Sequence, residues 1–451
     1  MLERMTLENF RSWRGPVDIG LKPVTIIFGN NSSGKTALLD ALLMLKQTAE
    51  SADRKLSLAY TGHTDLGSFR DVIHGHNEDL ELRLKLKWRP RERFTLSAPE
   101  ETREVHAEAV EYEARWRQMG DVTLTYLGYA SDPVTFSLKR GTEGGYEPKL
   151  QAKPIRLGTP RRGRPASAPS QFIPESCYAL PRRVALDWPH LDLLEFTHQF
   201  ELLMDRIHYL GPLRQFPRRE FLWTGESPGQ IGKDGTGAVE ALIAVAREGQ
   251  SRSKRSPRRP KDLLDSTREW LGQIGLAERL QVVQIDAGGR YYQIQLVAPG
   301  GRTPTLLPDV GFGVSQVLPV IIQLYFAPEG SILLFEQPEI HLHPSAASCL
   351  ADLFLDVAHE RNLQLIIESH SESLLTRLQR RIAEGEKPYA TPDRIGLYFC
   401  RLRDGGSTIE PVTVNGFGQI ENWPQSFFGD VLADVKAVAE AMARGRHERA
   451  R

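Results

Sequence analysis

Three short stretches of this chain are apolar at almost every position, and several others only at every second one. Val24-Thr25-Ile26-Ile27-Phe28, Ser331-Ile332-Leu333-Leu334-Phe335 and Leu363-Gln364-Leu365-Ile366-Ile367 are of the first kind, and predict parallel strands covered on both faces. Leu80, Leu82, Leu84, Leu86 and Trp88 alternate with Glu81, Arg83, Lys85 and Lys87, and similar alternation runs through Val110 to Trp116, Val122 to Tyr126 and Val134 to Leu138. That period of two predicts an antiparallel β-lobe with one face in water. Gly288-Gly289 and Asp404-Gly405-Gly406 are placed to turn further strand pairs. Ala37 to Leu43 reads as a helix entered directly from a glycine-rich loop, and a second glycine turn precedes the apolar run Val317 to Ile322. The fold class expected is α/β, with an inserted middle region.

Composition narrows this only a little. The chain has 451 residues, 40% hydrophobic and 25% charged, enough for one large core or two modest ones. Lysine plus arginine equals aspartate plus glutamate, 57 each, so attraction to a polyanion must come from local patches. Cys177, Cys349 and Cys400 lack Cys-x-x-Cys spacing, against a disulfide framework or zinc site and in keeping with a reducing cytosol. No run reaches membrane-spanning length and no leader pattern opens the chain, so the expected location is cytoplasmic, without a membrane partner.

The chemistry is concentrated at the ends of the three unbroken runs. Gly29-Asn30-Asn31-Ser32-Ser33-Gly34-Lys35-Thr36 satisfies the Gly-x-x-x-x-Gly-Lys-Ser/Thr pattern of a phosphate-binding loop. Its glycines let successive amides curl around phosphates, Lys35 brings a point charge to the β and γ oxygens, and Thr36 offers a hydroxyl to Mg²⁺. The order strand, loop, helix is the one required, so the expected ligands are a nucleoside triphosphate and Mg²⁺. The second run delivers Glu336-Gln337-Pro338-Glu339 to the carboxyl edge of the sheet, where open α/β folds place ligands, and makes Glu336 the metal-side acid. The third delivers Ser369-His370-Ser371, with His370 as the γ-phosphate sensor. Asp309-Val310-Gly311-Phe312-Gly313-Val314-Ser315-Gln316 opens a helix whose first amides suit a phosphate as well as they suit a plain turn.

Together, Asn9-Phe10-Arg11-Ser12, the Asn-Asn-Ser-Ser-Gly-Lys-Thr loop, the Gly-Phe-Gly-Val-Ser-Gln turn, Glu-Gln-Pro-Glu-Ile-His-Leu-His-Pro and Glu-Ser-His-Ser resemble the ABC-type AAA-family ATPases, relatives of the SMC and OLD (overcoming lysogenization defect) heads. Tyr209-Leu210-Gly211-Pro212-Leu213-Arg214, with Gly418 to Pro424 and Phe427-Phe428, resembles a bacterial subgroup with an uncharacterised C-terminal segment. The resemblance implies a P-loop NTPase head that sandwiches ATP between two copies, with Gly311, Gly313 and Ser315 acting in trans across a homodimer. It points to anti-phage defence or DNA repair through a separate nuclease or toxin effector. Some relatives carry a fused Toprim nuclease; the roughly 65 residues after the helix that follows His370 are too few for one. A non-hydrolysing scaffold that holds a toxin partner stays open, and a transporter subunit is disfavoured.

Two departures from the family pattern matter. The usual Asp-Glu pair reads Glu336-Gln337, and an amide orients water without taking its proton, so turnover is expected to be slow. Glu339 is the nearest replacement carboxylate, with a loop-fixing role as the alternative. The favoured register also places Gly311 where the family has a phosphate-contacting serine, leaving trans contacts mainly to backbone amides. His341 and His343 lack a third ligand and suit structure or dimer contact better than a metal. The expected domains are 1–75 (phosphate-loop part of the head), 76–200 (β-rich lobe and insertion, with a mobile loop at 151–170), 201–410 (signature turn, acid and sensor) and 411–451 (tail). No heptad arm divides the halves. Arg156, Arg161, Arg162 and Arg164, with Arg252, Lys254, Arg255, Arg258, Arg259 and Lys261, form two basic clusters suited to DNA or RNA phosphates, or simply to solvent.

Overall fold

A computed structural model describes residues 1–53, 57–96, 106–152, 172–251, 263–423. Both basic clusters, nearly all of 151–170 and the tail beyond Trp423 lie outside the described residues. The central sheet has the order Ile207–Leu210, Ile332–Glu336, Gln364–Glu368, Val24–Gly29, Ile395–Arg403, Gly406–Pro411. The first five strands run parallel and the last pairs antiparallel across the turn at Asp404-Gly405. All three unbroken apolar runs are therefore interior strands, and each is buried along its whole length.

Two cores explain why no polar alternation survives there. Ile27, Leu334 and Ile366 point to one side, where the helix Lys35–Glu50 and the β-lobe cover them. Ile26, Phe28, Leu333, Phe335, Leu365 and Ile367 point to the other, under the helices Phe312–Phe326, Pro344–Glu360 and Glu372–Glu384. A sheet layered on both faces accepts apolar side chains at every position.

The lobe is a seven-stranded antiparallel sheet, ordered Tyr146–Ala152, Val134–Arg140, Asp121–Ser131, Val110–Met119, Leu82–Trp88, Leu2–Glu8, Val17–Gly20. Leu82, Leu84, Leu86 and Trp88 face its core, while Arg83–Glu113 and Lys85–Glu111 pair at 2.8 Å across strands on the outer face. This sheet crosses the expected boundary at residue 75, because Leu2–Glu8 pairs with Leu82–Trp88. The boundary at 200 likewise falls inside the helix Glu195–Asp205, whose Phe196 and Phe200 pack on Tyr129 and Tyr112. Strand pairing over long sequence separations overrides the linear division. A smaller sheet joins Arg279–Gln284 to Tyr291–Val297 through the turn containing Gly288-Gly289. Among the described residues no helix is long and apolar enough to cross a membrane.

The N-terminal segment is tied to the phosphate loop. Ser12 and Ser407 join by backbone and hydroxyl hydrogen bonds of 2.7 and 2.6 Å, Trp13 Nε1 donates to the carbonyl of Gly34 at 3.1 Å, and Arg11 pairs with the buried Asp40 of the following helix. Removing the guanidinium leaves a buried carboxylate unpaired. Arg11→Ala should therefore cost about 2–3 kcal/mol in chemical denaturation, slightly below the range for a fully buried pair because Arg11 is part-exposed. Adding Asp40→Asn should recover most of that loss, and no recovery would place the cost in packing instead.

Candidate functional site

The site is assembled where three neighbouring parallel strands end. Register puts Glu336 beside Glu368 and Glu368 beside Ile27, two residues before the phosphate loop begins. The loop leaves its strand at Gly29 and enters its helix at Gly34, with φ of 150° and 90°. A side chain on Gly29 would collide with the carbonyl of Cys400, and a Cβ on Gly34 would lie 2.5 Å from Ser407 Oγ and 2.6 Å from Ser12 Oγ. Only glycine allows both the left-handed backbone and this closeness. Asn30, Asn31 and Ser32 are exposed at the rim; Ser33 is buried and its hydroxyl has no hydrogen-bond partner among the described residues.

Lys35 is 4% exposed, and its ammonium donates to the carbonyls of Asn30 at 2.8 Å and Gly29 at 3.1 Å. Burial lowers its pKa, and Glu368, 3.9 Å away, acts against that shift. At an effective dielectric of about 20 such a separation is worth on the order of 4 kcal/mol of attraction. Thr36 Oγ1 donates to Glu368 Oε2 at 2.8 Å, so the carboxylate touching the hydroxyl expected to meet the metal is Glu368. Glu336 sits one strand further out and accepts a 2.7 Å hydrogen bond from the hydroxyl of Tyr209. Burial pushes the Glu336 carboxyl up to about 7, with Tyr209 pulling it down and Glu368 pushing it up. Burial also raises Glu368. Thr36, Glu368 and Glu336 supply hard oxygen ligands beside a cradle that a Cβ would fill, a donor set that fits Mg²⁺ on a triphosphate.

The remaining site residues frame this pair. Gln337 turns the chain out of its strand with φ of 42°, and its amide donates to the carbonyl of Glu368 at 2.9 Å. Glu339 Oε1 accepts from Ser369 Oγ at 2.7 Å and from the amide of His370 at 2.8 Å, pinning the loop that carries His370, while its Oε2 is buried without a hydrogen-bond partner among the described residues. His370 is exposed overall but sits partly against the site, and this partial desolvation, followed by the charge of Lys35, lowers its pKa, favouring neutral imidazole. At the signature turn Gly311 precedes the helix Phe312–Phe326, and Gly313 packs under the carbonyl of His341. Ser315 is buried and donates back to the carbonyl of Phe312 at 2.7 Å, so its hydroxyl serves its own helix. His343 caps the helix Pro344–Glu360 and the ring of His341 lies edge-on to Phe312. Among the described residues no group of three or more His, Cys, Asp or Glu side chains could hold a metal ion.

Sequence reasoning missed three residues here. Tyr209 holds Glu336. Arg214, 6% exposed, reaches the carbonyls of Gln316 at 3.0 Å and Glu336 at 3.4 Å, tying the signature helix to the acid's strand. Both lie in the Tyr209–Arg214 segment, which stood out only by resemblance. Glu368 stood inside the Glu-Ser-His-Ser motif, but nothing in the linear sequence says that its side chain meets Thr36.

Residues 191–376 match the family model described as "AAA domain, putative AbiEii toxin, Type IV TA system", residues 1–105 match "AAA ATPase domain", and residues 391–437 match a protein family of unknown function, DUF3696. No curated protein matches the chain significantly. Similar solved structures include an SMC head domain from Thermotoga maritima (15% identity, TM-score 0.40, 92% of this chain and 99% of that one). Others are an SMC head bound to the C-winged helix domain of ScpA (13%, 0.48, 91% and 97%) and an SMC head with an extended coiled coil bound to the C-terminal domain of ScpA, derived from Pyrococcus furiosus (12%, 0.46, 91% and 96%). The chain thus carries two segments that match AAA-type domain models, one holding the phosphate-loop motif and one holding the signature turn and acid, followed by a segment that matches DUF3696.

Lys35→Ala should weaken ATP binding at least tenfold in equilibrium titration and also lower the thermal midpoint, because it leaves the buried Glu368 without its counter-charge. Unchanged affinity would remove the phosphate-loop assignment. Gly34→Ala, which forces a Cβ between Ser12 and Ser407, should lower both affinity and thermal midpoint.

Proposed function

We propose that this protein closes two copies of its head on ATP and Mg²⁺, hydrolyses the nucleotide slowly, and uses the cycle to control a separate nuclease or toxin effector in anti-phage defence or DNA repair. The observation that carries the reading is the convergence of Lys35, Thr36, Glu336, Glu368 and His370 on one sheet edge. In this reading the loop amides and Lys35 hold the β and γ phosphates, while Thr36 and Glu336, with Glu368 beside them, would hold the metal. A magnesium ion held there would supply positive charge against the phosphate oxygens. Neutral His370 hydrogen-bonds the γ-phosphate or the attacking water, and Gln337 orients that water. Glu339 has one oxygen committed to the sensor loop and one without a hydrogen-bond partner among the described residues, so it fixes that loop and is also the available proton acceptor.

The homodimer is supported by the surface beside the signature turn. Leu213 and Phe216 are 84% and 75% exposed, and Phe216 contacts the exposed Phe312 with ring centroids 5.6 Å apart. An aromatic patch next to the helix start Gly311–Gly313 suits burial against the phosphate-loop face of a second copy, where the amides reach its nucleotide. With the hydroxyl of Ser315 turned inward, those amides carry the trans contact. DNA or RNA contact through the two arginine- and lysine-rich clusters belongs to the same proposal. Gln337 also favours a second reading, a nucleotide-locked scaffold without turnover.

ATP turnover and solution mass, measured with and without double-stranded DNA, separate the two. Turnover below about 1 per second, with a dimer that forms only with ATP and Mg²⁺, supports the slow ATPase. Tight binding without turnover in a fixed assembly supports the scaffold. Glu339→Gln should reduce turnover by a hundredfold or more if Glu339 takes the proton, whereas loss confined to Gln337→Ala assigns the water to Gln337 alone.

A further inference from the structure

Glu368 is the one acid in the site that touches both groups the phosphate loop reserves for its ligands. It ends the interior strand Gln364–Glu368 and is 3% exposed. Its Oε2 accepts from Thr36 Oγ1 at 2.8 Å, and its Oε1 lies 3.9 Å from Lys35 Nζ. Glu336, the acid first expected to meet the metal, is its register partner on the next strand and is held by Tyr209.

A carboxylate in that position acts in opposite directions on the two ligands. A metal-free triphosphate brings several negative charges toward Lys35 and meets the charge of Glu368 at once, in a poorly solvated setting where repulsion is weakly screened. A divalent cation reverses the balance, because it gains two adjacent carboxylates and the Thr36 hydroxyl, a hard-oxygen set of matching charge. We propose that Glu368 is a positioning residue that makes the loop discriminate against free ATP and for its magnesium complex, coupling metal and nucleotide binding. The proposal rests on the nucleotide-binding reading above. The same strand position with a neutral side chain would support the fold but supply no such coupling.

The experiment is ATP affinity by titration calorimetry on the full chain, once with a chelator and once with excess Mg²⁺, for the unaltered protein, Glu368→Gln and Glu368→Asp. Glu368→Gln should bind metal-free ATP roughly tenfold more tightly and lose most of the gain that Mg²⁺ provides. Glu368→Asp keeps the charge but withdraws it from Thr36, and should lose part of the magnesium gain while free ATP binds as before. A ratio of the two affinities equal to that of the unaltered protein in both variants overturns the proposal, as does equal weakening in both media, which a merely structural role produces. If Glu368→Gln does not fold, the ratio in Glu368→Asp decides alone. Lys35→Ala, measured alongside, reports on the underlying reading: loss of affinity in both media leaves that reading intact whatever Glu368 does.

Discussion

The buried Lys35 ammonium facing the Glu368 carboxylate is the constraint around which the site is organised. A lysine this deep requires either strong acceptors or a counter-charge, and it has both: two loop carbonyls and a carboxylate on the adjacent strand. The counter-charge reaches it only because the strand Gln364–Glu368 lies directly beside Val24–Gly29, with Glu368 in register with Ile27. The sheet order therefore fixes the electrostatics of the phosphate loop as firmly as the loop's own residues do.

Placing Glu336 next to Glu368 has a cost. Burial raises the pKa of both carboxyls, Glu368 raises Glu336 further while Asp40 and Glu339 raise Glu368, and the protein offsets part of that with Tyr209 at Glu336 and with Thr36 and Lys35 at Glu368. A cation bound between them would stabilise such a pair further. Arg214 adds rigidity on the far side by joining the carbonyls of Gln316 and Glu336, so movement of the signature helix is felt at the acid's strand. Glu339 does the same for the sensor loop through Ser369 and His370.

The β-lobe contributes by position. Its strand Leu2–Glu8 leads directly into Asn9–Ser12, which Arg11, Ser12 and Trp13 fasten to Asp40, Ser407 and Gly34. Lobe and phosphate loop thus share a boundary only a few residues wide, packed around Gly34, a position that admits no side chain.

Local sequence determined whatever depends on backbone chemistry or on periodicity. The unbroken apolar runs announced interior parallel strands because both faces of those strands are covered, and the alternating runs announced the lobe because only one face is. The glycines and Lys35-Thr36 announced the loop because few other residues tolerate its backbone or supply its charge. Tertiary structure alone decided which carboxylate meets Thr36, that Tyr209 steadies Glu336, that Ser315 turns its hydroxyl inward, and that the N-terminal strand belongs to the lobe. Each of these depends on strand adjacency or on a hydrogen bond between residues that the chain's own spacing does not bring together, and only the packed fold brings them within reach.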